Sequence, residues 1–337
     1  MLVKKGKTLF FENPPTILGY AAVVGKKEGN GPLGEVFDEV FADAFLGQKS
    51  YEKAEAKLQN TAVTLALNKA GVSQDEIDYI MGGDLLNQCI GSSYGLRDFG
   101  IPFIGLYGAC STMTESLSLA STLVSCGAAK NCVAVSSSHF CSAERQFRFP
   151  LNYGGQRTPT AQWTVTGAGS VVVSQKEAKG KPRVCAVTFG KIVDLGITDI
   201  NNMGAAMSPA AADTIFQFLK DSGTRAEDYD LILTGDLGAL GSDLLIRILK
   251  DNDINIRDNH NDCGKIIFDS ERQDTHCGGS GCGCCASVLC SKILKDIESG
   301  KLKNVLVMAT GALMSTVSVQ QGESIPAVAH LVHIKGE

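Results

Sequence analysis

Apolar positions along the chain follow two alternating periods. Thr16 to Val24 is a continuous apolar run, as expected of a strand buried on both faces. Over Glu52 to Ala70, Leu58, Ala62, Leu65 and Ala66 recur at helical spacing with Lys69 on the polar side. Asp78 to Met81 predicts a short strand ending in Gly82-Gly83, and Ile104 to Tyr107 another, followed by a helix of small residues over Ser111 to Cys126. Asn131 to Ser136 and Ala168 to Ser174 predict two buried strands. After the polar stretch Lys176 to Pro182 the alternation resumes. Strands are expected at Arg183 to Val193, Asp230 to Leu233, Asn304 to Met308 and Val328 to Ile334, and helices at Ala211 to Lys220, Asp243 to Lys250 and Ala286 to Glu298. Strands alternating with helices predict a layered α/β fold.

The two halves resemble each other. In the segments that begin at Ala70 and Ser222, Gly71, Asp78, Ile80, Gly83, Asp84 and Leu85 recur as Gly223, Asp230, Ile232, Gly235, Asp236 and Leu237. Further along, Gly127-Ala-Ala-Lys-Asn-Cys-Val matches Gly300-Lys-Leu-Lys-Asn-Val-Leu. A helix-turn-strand pattern repeated in the same order, at a spacing too long for a solenoid, implies a duplicated α/β half. The halves are set at residues 1–178 and 179–337.

Composition narrows the class. The 337 residues are 44% hydrophobic and 20% charged, enough apolar material for a core. With 31 basic and 36 acidic residues the net charge is -5, and no basic cluster breaks that balance, so nucleic acid is not an expected partner. No apolar run reaches the ~18 residues of a membrane span, and the basic start Met1 to Thr8 lacks the apolar stretch of a secretory signal. The 12 cysteines fall in expected strands and helices and read as reduced thiols of a cytoplasmic protein.

Chemistry concentrates at a few places. Gly108-Ala-Cys-Ser-Thr112 puts Cys110 at a helix N-terminus, where free N–H groups and the helix dipole favour a thiolate or a nearby anion; a buried structural cysteine is the plain alternative. Extending the duplication places Cys110 opposite Gly283, within the Gly-rich turn Cys277 to Ala286, so two helix N-termini are expected to face one pocket. Cys277, Cys282 and Cys285, with Cys290, have iron–sulfur spacing, but the last two fall inside an expected helix, so no metal is assigned. Asp84, Ser136 and His139 lie at or just past strand C-terminal ends, where ligands of α/β sheets gather. Asp236 reads as a helix cap, while Asp84 either caps or binds something polar. His260, His330 and His333 read as surface or structural histidines. The role of His276, which opens the Gly-rich turn, stays open. Arg145, Arg148 and Arg157 flank an irregular stretch, Phe147 to Thr160, and could hold carboxylates.

Gly108-Ala-Cys-Ser, Trp163-Thr-Val-Thr-Gly-Ala-Gly-Ser-Val-Val-Val173 and Gly311-Ala-Leu, set in duplicated halves, resemble the thiolase superfamily, especially the ketoacyl synthase III type. The resemblance implies the five-layer αβαβα thiolase-like fold, with Cys110 at the nucleophile position. It also exposes two departures. The family's His-bearing segment is Thr234-Gly-Asp-Leu-Gly238 here, and its Asn-bearing loop is Gly278-Gly-Ser-Gly-Cys282. Without those groups the thioester oxyanion loses stabilisation worth several kcal/mol.

Met81 to Gln88, Asn152 to Trp163 and Gly278 to Cys284 further resemble the stage V sporulation branch of this superfamily, found in spore-forming bacteria. That likeness implies no enzyme and no cofactor. It implies instead a binding protein for dipicolinic acid, alone or with calcium, that serves its uptake into the developing spore and its release on germination. The expected partners are membrane proteins of the same sporulation operon, with peripheral attachment to the inner spore membrane; a homodimer is left open. The ligand is expected against Cys110, Asp84, Ser136, His139, Gly278, Gly279, Ser280 and Gly281. The rival is a Cys110-dependent acyltransferase or ketoacyl-synthase-like condensing enzyme.

Overall fold

The computed structural model describes residues 2–147 and 157–337. Ten strands carry the fold. The first five are β1 (Thr16–Val24), β2 (Tyr79–Gly83), β3 (Phe103–Gly105), β4 (Asn131–Ser138) and β5 (Gly167–Ser174). The second five are β6 (Arg183–Phe189), β7 (Leu231–Thr234), β8 (His260–Asp262), β9 (Asn304–Ala312) and β10 (Ala327–Lys335). Spatial order is β3-β2-β4-β5-β1 in one half and β8-β7-β9-β10-β6 in the other. Directions correspond as well: β1–β5 and β5–β4 are antiparallel, β4–β2 and β2–β3 parallel, and each pair has its counterpart in the second half. The halves meet where Arg183 of β6 pairs with Thr16 of β1.

Helices complete the layers. The set used below is α1 (Tyr51–Ala70), α2 (Ile90–Leu96), α3 (Thr112–Ser125), α4 (Phe140–Phe147), α5 (Met203–Ser222), α6 (Gly238–Lys250) and α7 (Cys282–Val288). α1 covers the outer face of the first sheet, and α5 with α6 covers the outer face of the second. α3 lies between the sheets beside α7, which continues through a π-turn, Leu289–Ile293, into Leu294–Glu298. The strands read as unbroken apolar runs because both faces are covered. In β4, Val133 and Val135 face α1, while Cys132 and Ala134 face the central layer. In β9, Leu306 and Met308 face outward, while Val305 and Val307 face inward. Small residues let the central helices press close: a Cβ at Gly169 would stand 2.3 Å from the Ala286 carbonyl oxygen.

Several element ends differ from the sequence expectation. β6 stops at Phe189, because Gly190 abuts the backbone of β10, where a Cβ would lie 2.0 Å from the Ala329 oxygen. Val193 touches the sheet only through an isolated bridge to Ala327. α5 starts at Met203, capped by the Asn202 side chain, and carries Pro209 within it; α6 starts at Gly238. Among the described residues no helix is long and apolar enough to cross a membrane.

Candidate functional site

Cys110 is placed by a tight turn. β3 runs through Tyr107 and Gly108 into a single turn, Ala109–Ser111, and then into α3. Ala109 has φ 51°, a left-handed conformation that costs energy in a residue with a Cβ. β9 braces the turn from below: a Cβ on Gly311 would lie 2.3 Å from the Gly108 oxygen. The Ser111 hydroxyl donates to the Gly108 carbonyl and the Thr112 hydroxyl to the Ala109 carbonyl, each at 2.7 Å. Cys110 is left 7% exposed.

The second helix N-terminus comes to meet it. Gly279–Ser280 pairs in parallel with Trp163–Thr164, and Gly281, at φ 102°, then opens α7. No larger residue fits at Gly281, since a Cβ would stand 2.6 Å from Ser138 Oγ. The Gly281 N–H donates to Asp236 Oδ2 at 2.9 Å and acts on the Cys110 thiol beside it. From the next residue, the Cys282 thiol donates to the Ala109 carbonyl at 3.1 Å.

Asp236 belongs to this junction and caps no helix. Its carboxylate accepts from Gly281 N, from Thr310 Oγ1 at 3.1 Å and from Ser280 Oγ at 3.4 Å, and its charge acts on the Cys110 thiol beside it. The first amides of α6 go instead to Asp262, which accepts from Leu237 N and Gly238 N at 2.9 Å each. Asp262, at the end of β8, took the capping role that the sequence suggested for Asp236. Burial pushes the Asp236 carboxyl up to about 7 against the pull of its donors. Burial, and then the neighbouring charge of Asp236, hold the Cys110 thiol well above its ordinary range. Both effects oppose the thiolate that the helix N-terminus would favour, in line with the buried structural cysteine that the sequence also allowed.

A cavity of about 350 Å³ opens over this junction. Cys110 and Ser280 form its floor, and Tyr107, Phe147, Met203, Leu313 and Met314 supply apolar wall. Among the described residues lining it, Glu144 is the one charged side chain, accepting from Thr164 Oγ1 at 3.0 Å; none is lysine, arginine or histidine.

The remaining sequence candidates lie elsewhere. Asp84 is fully buried and accepts from Leu86 N at 2.9 Å, Ser92 N at 2.7 Å and the Ser92 hydroxyl, tying down the start of α2. Its neighbour Glu55 accepts from Ser137 and Ser142, and burial together with the Asp84 charge pushes it up. Ser136 donates to the Cys282 carbonyl at 3.1 Å and so supports α7 from behind. His139 faces a separate groove, with Nε2 on the Ala44 carbonyl at 2.7 Å and Nδ1 accepting from Cys141 N; burial keeps it neutral. Gly278, at φ 109°, turns the chain into the short strand Gly279–Ser280. Arg145 pairs with Glu52, Arg157 and His276 both pair with Asp274, and Arg148 lies outside the described residues. All 12 cysteines are free thiols, with Cys285 within α7 and Cys290 within the π-turn after it. The structure thus brings Cys110, Ser280 and Gly281 together and adds Asp236, Thr310 and Glu144. Asp236 could have been suspected from its place after a duplicated strand; Thr310 and Glu144 give no such signal.

Comparison with known proteins agrees with the fold. The fold is shared with 3-oxoacyl-[acyl-carrier-protein] synthase III of Aquifex aeolicus, at 14% identity and TM-score 0.58 over 95% of this chain and 99% of that one. It is shared too with OleA of Xanthomonas campestris, at 14% identity and TM-score 0.60 over 97% and 99%. In sequence, the chain is 47% identical over 324 residues to stage V sporulation protein AD of Bacillus subtilis, covering 96% of this chain and 95% of that protein. The model of that family matches residues 5–335. With the fold, the duplicated halves and nearly the whole length accounted for, the chain belongs to the stage V sporulation protein AD family.

Proposed function

We propose that this chain is a non-catalytic binding protein for dipicolinic acid. The cavity beside Cys110 takes the ligand as its calcium chelate, and the protein serves, with membrane proteins of its operon, the loading of the developing spore and release on germination. The observation that carries the non-catalytic reading is the buried Asp236 carboxyl set beside the Cys110 thiol. A condensing nucleophile needs a thiolate and donors for the thioester oxyanion. Here a carboxylate opposes thiolate formation, and no histidine is among the described residues lining the cavity.

Binding is supported by the shape and chemistry of the cavity. A mostly apolar pocket with a few convergent polar groups suits a flat aromatic ligand. Glu144 in the wall and Asp236 beneath the floor disfavour a bare dianion and favour one whose charge a metal already neutralises. Among the described residues the outer edge of β3 pairs with no further strand, and Phe103 and Ile104 on it are each 38% exposed, which supports a second copy of the chain pairing there.

Calorimetric titration of the purified chain with dipicolinate, with and without calcium, tests the reading directly. Saturable binding of the chelate is expected, with no acyl group on Cys110 by mass spectrometry after incubation with acyl-CoA. Turnover of an acyl-CoA that Cys110→Ala abolishes would sink the proposal and favour the acyltransferase alternative.

A further inference from the structure

We infer that Asp236 selects the charge state of the ligand: a metal-neutralised dicarboxylate enters freely, whereas a bare dianion enters only as Asp236 takes up a proton. The inference rests on the binding function proposed above and concerns the same cavity.

The turn that leads into α7, beneath the cavity floor, already holds an internal carboxylate. Gly281 N–H, the amide just before α7, donates to Asp236 Oδ2 at 2.9 Å, and the Ser280 hydroxyl turns toward the same oxygen at 3.4 Å. Cys110, the other floor residue, lies beside this carboxylate. Within the first turn of α7 the Gly283 amide is taken by Ser138 Oγ at 3.0 Å, so that donor does not await an anion in its place.

Among the described residues nothing around Asp236 offsets a second negative charge. From the turn before α3 it faces Cys110, from β9 Thr310, from α7 Cys282 and Cys284, and from the end of β8 Asp262. His260, at the start of β8, has Nδ1 on the Ile232 carbonyl at 3.0 Å and acts on Asp262 rather than on Asp236. None of the described groups that act on Asp236 is cationic. An arriving carboxylate must therefore coexist with the buried Asp236 carboxylate beneath the cavity floor, or meet it protonated. Protonation removes the charge and frees Gly281 N–H and Ser280 to turn toward the ligand. A calcium chelate brings no net charge and imposes no such choice.

The sign of the linkage follows. A bound anion raises the proton affinity of Asp236, so anion binding takes up a proton above neutrality and weakens as pH rises. Dipicolinate should be titrated with a chelator present and again with excess calcium, from about pH 6 to about pH 8.5, in buffers of different ionisation enthalpy. Affinity for the bare dianion is expected to fall about tenfold or more across that range, with close to one proton taken up per ligand on the alkaline side. Affinity for the chelate should change by less than about threefold. Asp236→Asn should flatten the anion's profile; if that variant does not fold, the contrast between the two ligand forms in the wild type decides. Measurable dianion binding with constant affinity and no proton uptake overturns the inference while leaving the function intact. Absence of binding by either form at every pH removes both.

Discussion

Cys110 has the surroundings of a reactive thiol, a helix N-terminus and small neighbours, and is nevertheless held as a thiol. Desolvation and the Asp236 carboxylate outweigh the Gly281 amide and the helix dipole. Alkylation of Cys110 by iodoacetamide at neutral pH should therefore be slow beside that of Cys126, the exposed cysteine. Asp236→Asn should accelerate it by about tenfold, because one opposing charge is removed. Site-resolved mass spectrometry over time measures both rates, and a wild-type Cys110 that reacts as fast as Cys126 would contradict this account. Cys110→Ala should bind dipicolinate only modestly more weakly, since contact and not nucleophilicity is at stake. Cys110→Trp should fill the cavity and abolish binding in a folded chain. The contrast between Asp84 and Asp236 belongs here too. Equivalent in the duplication, they diverged because α2 follows Asp84 closely and uses it as a cap, whereas Asp262 supplies that service to α6. Asp236 was thereby left to face Cys110.

The turn before α3 depends on β9 more than on its own sequence. Ala109 keeps its left-handed backbone because Gly311 lets β9 lie directly beneath Gly108. In Gly311→Ala a methyl group would stand 2.3 Å from the Gly108 oxygen and 3.2 Å from Ser111 Oγ. The change should lower unfolding stability by about 1–3 kcal/mol and shift the cavity floor, reducing ligand affinity as well. Urea midpoints that stay level at an unchanged slope would show that the turn is not braced in this way. The same dependence explains what the sequence disclosed. β1, β4 and β5 were legible because a strand covered on both faces is apolar throughout, and the Cys110 and Gly281 junction was legible through the duplication. The end of β6 at Gly190 and the start of α5 at Met203 are set by packing against other elements. So are the cavity walls at Met203, Leu313 and Met314 and the hydrogen bond of Thr310, residues that follow no helical or strand period.

The duplicated architecture buries ionisable groups on both sides of its central layer, and their balance sets how the whole fold responds to pH. Glu28 and Asp236 are each buried and pushed up to about 7, and Glu55 is pushed up beside Asp84. Each of these carboxyls holds its proton more tightly folded than unfolded, so stability is complete below the ordinary carboxylate range and is lost as pH rises through the folded value. His330 and His333, both in β10, work in the opposite sense. Burial pushes each down to about 4, so their contribution is complete above the unfolded value near 6.5 and is lost as pH falls toward about 4. Between about pH 6.5 and about pH 8.5 the histidines are nearly spent as a variable and the carboxyls dominate, giving a net loss on the order of 2 kcal/mol. Unfolding midpoints should therefore be highest on the acid side of neutrality and should decline steadily to pH 8.5. Glu28 gives the cleanest check, since it lies apart from the Cys110 cavity, beside Thr166, whose amide it accepts at 2.9 Å, and one of its oxygens lacks a hydrogen-bond partner. Glu28→Gln should remove on the order of 1 kcal/mol of that decline and leave dipicolinate binding unchanged. Thermal or urea melts of both proteins across the range measure it, and a wild-type midpoint that rises toward pH 8.5 would show that these buried carboxyls are ionised in the fold at little cost.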